Sequence, residues 1–156
     1  MKLPPTFSKN KKYINAVIET PKGSAAKYDY NEGTQMFKLK KILPEGMVFP
    51  FHFGFIPYTK AEDGDPLDVL VLLDELSWPG CIIKCRITGV LEATETKDNK
   101  TVRNDRLIAT AEASEKYNKI KRLSLILKKK SKFFSKKDAG TALELIQKQL
   151  IHGNNY

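Results

Sequence analysis

Short apolar runs rich in β-branched and aromatic residues fill the first two thirds of the chain. Turn-forming residues separate them, in PKGS, NEGT, EDGDP and WPG. Apolar runs of this length, bounded by such turns, are typical of strands. The runs are YINAVIET (13–20), MFKLKKIL (36–43), VFPFHFGFIP (48–57), PLDVLVLL (66–73), CIIKCRITGVLEATE (81–95) and RLIATAE (106–112). Many short strands at this spacing predict a closed or nearly closed β-barrel.

The pattern changes from Ser114 onward, where apolar residues recur three and four positions apart. They are Tyr117, Ile120, Leu123, Leu127 and Phe134. This spacing predicts an amphipathic helix, and a second helix is predicted from about Asp138 to His152, with Gly153 able to end it. The sequence therefore predicts an α+β domain, a small barrel with two C-terminal helices packed on it.

The composition is that of a soluble globular protein. A chain of 156 residues with 41% hydrophobic content is long enough for one core, so we expect a single domain over 1–156, with loose ends at 1–10 and 154–156. We expect a cytoplasmic location, because no apolar run could cross a bilayer and the N-terminal segment lacks the apolar stretch of a signal peptide. Cys81 and Cys85 are too far apart along a strand to form a disulfide, so two buried thiols are expected.

Positive charge is concentrated in one segment. The net charge is +9, and residues 116–137 contain ten lysines and arginines but no acidic residue. The remainder of the chain is thus close to neutral. Such a segment could bind nucleic acid, attract small anions or simply be a solvated helix face.

An acidic stretch, EDGDPLDVLVLLDE, interrupts this basic chain with six carboxylates in fourteen residues. In an extended strand Asp63 and Asp65 would share one face while Asp68 would take the other. Gly64 and Pro66 supply a bend that lets all three converge. The apolar run that follows implies a buried wall behind them. Since buried carboxylates need partners, a divalent cation is favoured over a solvated turn, the other reading of the loop.

Magnesium fits this cluster better than other metals. A calcium-binding EF-hand loop would need an oxygen-bearing side chain at Leu67 and glycine at Asp68. Zinc favours histidine and cysteine, yet His52 and His152 lack the spacing of a ligand pair. Magnesium binds through a few carboxylates and is completed by water and substrate phosphates. The chain has no P-loop, dinucleotide-binding fingerprint or serine nucleophile elbow.

The segment DGDPLDVLVL resembles the signature of family I soluble inorganic pyrophosphatases. Flanking blocks are similar in the same order: VIETPKGSAAKYDY, MFKLKKILPEGMVFPFHFGFIPYTK and PGCIIKCRITGVLEATE. The resemblance implies a closed five-stranded, OB-like barrel with peripheral helices. It also implies hydrolysis of pyrophosphate to two phosphates with several Mg²⁺ ions, and a homo-oligomer, with pyrophosphate rather than nucleic acid or membrane as the partner.

The resemblance also assigns roles to individual residues. Asp65 would be the base that deprotonates the attacking water, and Lys27 would contact a phosphate. Four carboxylates would serve as metal ligands or line the outer side of the site: Asp63, Asp68, Glu19 and Asp29. Such a site would activate a water and neutralise the charge of the substrate.

Several positions depart from the family pattern. Lys41 stands where an arginine is usual, which keeps the charge but loses the bidentate fork, and Phe53 replaces a tyrosine. Further along, Arg106 matches a substrate-binding lysine, which places Asn104 at a metal-ligand aspartate.

Two further ligand positions stay open on the sequence. Asp105 could reach the metal in place of Asn104, and Glu95 best matches the acidic residue that opens this block. An ordinary hairpin rim is an equally good interpretation of these positions. Lys136 is the candidate phosphate contact near the C-terminus, although the accompanying tyrosine is missing.

Two alternatives compete with a pyrophosphatase. The departures would permit a catalytically weakened member of the fold that binds a phosphate-rich ligand. A nucleic-acid-binding barrel could use the lysine-rich segment, with Phe51, Phe53 and Phe55 stacking bases, although barrel aromatics more often belong to the core.

Overall fold

The computed structural model describes residues 2–97, 99–119 and 135–137. These residues form ten strands and one short helix. The strands are β1 (Ile14–Thr20), β2 (Ala26–Asn31), β3 (Met36–Ile42), β4 (His52–Phe55), β5 (Asp68–Leu72), β6 (Ile82–Glu92), β7 (Thr94–Lys97), β8 (Lys100–Arg103), β9 (Arg106–Ala111) and β10 (Ser135–Lys137), and the helix is α1 (Glu115–Asn118).

Five of the strands close into a barrel in the order β1, β4, β5, β9 and β6. The circle is completed because β6 pairs with β1 along Ile82–Cys85 and with β9 further along its length. β5 and β9 run parallel, while the other four pairs are antiparallel. The closed five-stranded barrel expected from the sequence is therefore confirmed.

Side chains at alternate positions of the barrel strands fill the interior of the barrel. Val69 and Val71 of β5 and Leu107 and Ala109 of β9 are buried in the main core cluster. Alternate side chains of a strand point to the same face, so each strand contributes every second residue to this core. Three phenylalanines of VFPFHFGFIP, Phe51, Phe53 and Phe55, are buried as well, as the core interpretation expected.

Gly54 allows β4 to lie unusually close to β1. A Cβ atom at this position would stand 2.0 Å from the carbonyl oxygen of Val17. A side chain of any size is excluded there, so glycine is required by the close approach of the two backbones. This contact places the C-terminal end of β1, which carries Glu19, beside β4.

Two hairpins lie outside the barrel. β2 pairs with β3, and β7 pairs with β8. β2, β8 and β10 were not predicted, and the predicted run 81–95 is divided between β6 and β7. The predicted strand 48–57 is shorter in the structure, since Phe49 exchanges backbone hydrogen bonds with Gly23 and Ser24 instead of a barrel strand.

The predicted helices are only partly covered by the described residues. α1 begins after Ser114, whose hydroxyl accepts a hydrogen bond from the Tyr117 amide at 3.2 Å. This is a serine N-cap. The rest of the first predicted helix after Lys119, and the second at 138–152, lie outside the described residues. In the described part of the chain, no helix is long and apolar enough to span a membrane.

Candidate active site

One polar cleft of about 690 Å³ opens between the β2–β3 hairpin and the mouth of the barrel. Six carboxylates and four cationic side chains line it, together with apolar and amide groups. The charged residues are Glu19, Asp29, Glu32, Asp63, Asp65, Asp68, Lys27, Lys40, Lys41 and Arg106. A cleft with this mixture suits a ligand that is both anionic and metal-bound.

The acidic loop bends at Gly64, as the sequence predicted. Gly64 has φ of +92°, in the left-handed region that glycine tolerates. The Asp65 amide donates to the Asp63 carboxylate at 3.1 Å, and the Ala61 amide donates to the Asp65 carbonyl at 2.7 Å. These bonds fix Asp63 and Asp65 relative to each other, and both residues line the cleft together with Asp68.

Asp68 stands where β5 begins, opposite Arg106 at the start of the parallel strand β9. The Arg106 Nε lies 3.6 Å from an Asp68 carboxylate oxygen. Burial raises the pKa of Asp68 to about 6, with Arg106 and Lys27 opposing the shift and Asp63 and Asp65 adding to it. Its ionised form is therefore under-stabilised by the protein alone.

Glu19 is the most buried carboxylate of the cleft, with 9% of its surface exposed. It accepts a hydrogen bond from the Tyr30 amide at 2.7 Å, which fixes the carboxylate between β1 and β2. Burial raises the pKa of Glu19 to about 7, although this hydrogen bond lowers it, and Asp29 and Asp68 add to the increase. A nearby positive charge would therefore stabilise the ionised forms of both Glu19 and Asp68.

A bulge in β3 brings two consecutive lysines to the cleft. Lys27 pairs with Lys41 and Tyr28 pairs with Leu39, so Lys40 is the extra residue. In a regular strand Lys40 and Lys41 would face opposite ways, yet both line the cleft. Sequence reasoning missed Lys40 because the pattern of the strand contains no signal for the bulge.

Aromatic rings form the floor of the cleft. Tyr30 stacks on Phe55 with ring centroids 5.5 Å apart, and the Lys27 ammonium lies 5.4 Å from the centre of the Phe53 ring. A tyrosine in place of Phe53 would add a hydroxyl, whereas phenylalanine presents only its ring face to the lysine. The floor therefore positions Lys27 without donating a hydrogen bond from residue 53.

The structure distinguishes Asn104 from Asp105. Asn104 lines the cleft, whereas Asp105 does not. The Asp105 carboxylate accepts hydrogen bonds from the Arg103 Nε at 2.7 Å and from the Ala93 amide at 3.3 Å. The same arginine bonds Glu92 at 2.8 Å. Asp105 is thus held in a structural network beside β6.

Two sequence-predicted residues are described only through their backbone. Glu95 lies on β7 opposite Val102, and Lys136 lies on β10 opposite Leu91 of β6. The described side chains around the cleft do not include these two. Tyr30, Asn31, Glu32 and Phe55 line the cleft and were missed. Tyr30, Asn31 and Glu32 belong to the β2–β3 hairpin, whose folding over the barrel the linear pattern did not indicate, whereas Phe55 lies on the barrel strand β4.

The oxygen donors of the cleft suit magnesium, although their side chains are not close enough to form a complete coordination shell. Among the described residues, no three histidine, cysteine or acidic side chains are close enough to hold one metal ion. The available donors are oxygens, and Glu19 and Asp68 have raised pKa values that a cation would reverse. Mg²⁺ takes few protein ligands and retains waters, so this donor set fits it.

All the residues that line the cleft lie within the part of the chain that matches one protein family. The family model described as inorganic pyrophosphatase matches residues 16–149. An inorganic pyrophosphatase of Synechocystis is 35% identical over 111 residues, which are 71% of this chain and 63% of that protein. One of Saccharolobus solfataricus is 49% identical over 78 residues, 50% of this chain and 45% of that protein. The chain therefore spans less than two thirds of the curated relatives that it matches.

Solved structures agree over a larger part of the chain. The inorganic pyrophosphatase of Thermus thermophilus superposes with a TM-score of 0.75 at 29% identity and covers 94% of both chains. That of Neisseria gonorrhoeae gives a TM-score of 0.79 at 26% identity and covers 95% of both chains. These structures therefore share the overall fold of this chain.

Proposed function

Because the chain belongs to the inorganic pyrophosphatase family, we propose that it hydrolyses inorganic pyrophosphate to two orthophosphates in the cleft at the mouth of the barrel. The observation that carries this proposal is the convergence of six carboxylates and four cations on one cleft. Acidic side chains suit metal ions, whereas lysine and arginine suit phosphate oxygens. A substrate that is a polyanion and binds metal needs both.

We propose Mg²⁺ as the metal, held by the oxygens of Asp63, Asp68, Glu19 and Asn104. When bound, Mg²⁺ would offset the substrate's charge and lower the pKa of the attacking water. Asn104 would ligate through its amide oxygen and contributes no charge. Asp105 is left out of this set because Arg103 and Ala93 occupy its oxygens. Glu95 as a further ligand stays a prediction.

Asp65 is the proposed general base. It is solvent-exposed, and it lies on the bent loop between the two proposed ligands Asp63 and Asp68. Its carboxylate would take a proton from the attacking water as the water oxygen bonds to one phosphorus. The bridging P–O bond then breaks, and its electrons leave with the second phosphate.

The cationic wall would bind the phosphates. Lys27 is held over the Phe53 ring, Lys41 lies opposite it in the hairpin, and Arg106 is oriented by Asp68. Each would bind phosphate oxygens and stabilise the charge of the leaving group. Lys136 as an additional contact stays a prediction.

Phosphate release from pyrophosphate tests the proposal directly. We expect Mg²⁺-dependent release that a chelator abolishes, and a loss of at least about 100-fold in Asp65→Asn, the scale of a missing general base. Glu62→Gln is the matched control, since Glu62 is an exposed carboxylate of the same loop that does not line the cleft. A wild-type protein that binds pyrophosphate without releasing phosphate would instead support the catalytically weakened alternative.

The described residues do not support the base stacking of the nucleic-acid alternative, and most of its lysine-rich segment lies outside them. Phe51, Phe53 and Phe55 are 7%, 6% and 4% exposed, so their faces are not available to stack bases. We therefore propose pyrophosphate as the ligand.

Cys81 and Cys85 are free thiols, which agrees with the proposed cytoplasmic location because that compartment keeps thiols reduced.

We also propose that the chain self-associates. Several large apolar side chains outside the cleft are more than half exposed, among them Leu76, Trp78, Met36 and Ile42. Leu76 and Trp78 lie two residues apart in the loop between β5 and β6, and exposed apolar patches commonly mark a protein interface. Light scattering after size exclusion tests this: we expect a mass above 17.7 kDa for the wild type and a smaller assembly for Trp78→Lys. A monomeric wild type would refute self-association.

A further inference from the structure

Lys40 has a position in the cleft that its strand would not ordinarily give it. It is the extra residue of the β3 bulge, between Leu39, which pairs with Tyr28, and Lys41, which pairs with Lys27. The bulge lets Lys40 and its neighbour Lys41 line the same cleft. An extra residue that re-aims a side chain toward a site is a feature of functional bulges.

The Lys40 ammonium contacts the carboxylate of Asp29. It forms an ion pair with one oxygen of Asp29, while Lys27 lies 3.5 Å from the other. Asp29 is therefore the cleft carboxylate whose two oxygens both face lysines. By contrast, Asp68 has one arginine contact at 3.6 Å, and Glu19 accepts a backbone amide.

We propose that Lys40 is a built-in cation, which occupies Asp29 where a divalent ion would otherwise bind, so that the cleft takes one metal ion fewer than its carboxylates could hold. This inference rests on the proposed function, because it concerns the same metal-dependent cleft. Lys40 is a positioning residue in this scheme: it neutralises Asp29 and leaves Glu19, Asp63 and Asp68 as the acidic ligands for metal.

The surroundings of Lys40 support a permanent charge at this place. Its hydrogen bond to Asp29 raises the pKa of Lys40, and the nearby Asp65 and Glu19 add to that increase. The raised pKa keeps the Lys40 ammonium charged at neutral pH. The Lys40 side chain is 57% exposed, so the ion pair is worth about 1 kcal/mol or less, and this is the amount by which it would weaken the binding of a metal ion to Asp29.

Mn²⁺ binding to the metal-free full-length chain, without substrate, tests the inference. The free ion is followed by electron paramagnetic resonance during a titration. Lys40→Met removes the charge with an unbranched side chain that is a poor ligand for hard metals. We expect this variant to bind one more Mn²⁺ per chain than the wild type, or to bind its weakest Mn²⁺ roughly fivefold more tightly, the factor that corresponds to about 1 kcal/mol.

Two further variants separate this role from general electrostatics. Lys40→Arg keeps a cation and should bind Mn²⁺ like the wild type. Lys38→Met removes the same charge from the same strand. Lys38 is exposed, lies opposite Asp29 in the register and does not line the cleft. It should leave the number of bound ions unchanged, and circular dichroism should show that all the variants are folded.

The outcomes distinguish this inference from the proposed function. If the wild type binds Mn²⁺ and releases phosphate from pyrophosphate, but Lys40→Met titrates like the wild type or like Lys38→Met, the built-in cation is refuted and the proposed function stands. If the wild type neither binds Mn²⁺ nor releases phosphate, both are refuted.

Discussion

Replacing Glu19 with glutamine should stabilise the metal-free protein at alkaline pH while it removes a proposed metal ligand. The pKa of Glu19 rises from 4.5 to about 7 because its carboxylate is buried. A group whose folded pKa is raised contributes its stability fully below the unfolded pKa, and that stability is lost as the pH rises through the folded pKa. Metal-free wild type should therefore lose stability between about pH 4.5 and pH 7.

The size of the effect follows from the shift. One pKa unit corresponds to about 1.4 kcal/mol, so keeping Glu19 ionised at pH 8 costs about 3 kcal/mol. The cost falls to about 1 kcal/mol at pH 5, where the folded side chain is protonated. Glutamine has no charge to desolvate, and its amide oxygen still accepts the Tyr30 amide that now lies 2.7 Å from Glu19.

Urea unfolding in the presence of a chelator measures this difference. At pH 8 we expect Glu19→Gln to be about 3 kcal/mol more stable than the wild type, with the gap shrinking to about 1 kcal/mol at pH 5. Added Mg²⁺ should stabilise the wild type more than the variant. Glu32→Gln, which changes an exposed carboxylate of the same cleft, is the control and should show no such gap.

A variant that is no more stable than the wild type at pH 8 would contradict the reasoning. So would a gap of the same size at both pH values, because an effect of ionisation must vary with pH. Either result would mean that burial does not penalise the charge of Glu19 and that its carboxylate does not require a nearby cation.

Two other perturbations probe the cleft and the barrel. Activity at a fixed sub-saturating Mg²⁺ concentration should fall as the pH drops from 7 to 5, because burial raises the pKa of Asp68 to about 6 and the protonated acid cannot ligate metal. Excess Mg²⁺ should restore much of it, and activity that is unaffected by Mg²⁺ concentration at pH 5 would refute this. Gly54→Ala should destabilise the fold by about 3 kcal/mol in chemical denaturation, since its Cβ would lie 2.0 Å from the Val17 carbonyl oxygen. Gly33→Ala is the control, because a Cβ there meets its nearest atom at 3.4 Å, and equal stabilities of the two variants would contradict the clash.

Much of the barrel could be predicted because strand alternation is a local property. Runs such as PLDVLVLL carry the side chains of the core at every second position, and β5 buries Val69 and Val71 in this way. The boundaries were less predictable. Phe49 bonds to the β1–β2 loop, so the segment before His52 does not extend β4, although its residues favour a strand.

The short barrel strands and the bend of the acidic loop could be predicted from the sequence, because alternation and the Gly64 bend depend on neighbouring residues. Which charged side chains come into contact depends on the pairing of strands that are distant in the sequence. A bulge that local propensity does not encode places Lys40 on Asp29, and the network of Arg103 holds Asp105 away from the cleft where Asn104 lies. The raised pKa values of Glu19 and Asp68 likewise exist only once distant strands exclude water around them, since desolvation depends on the packed surroundings rather than on adjacent residues.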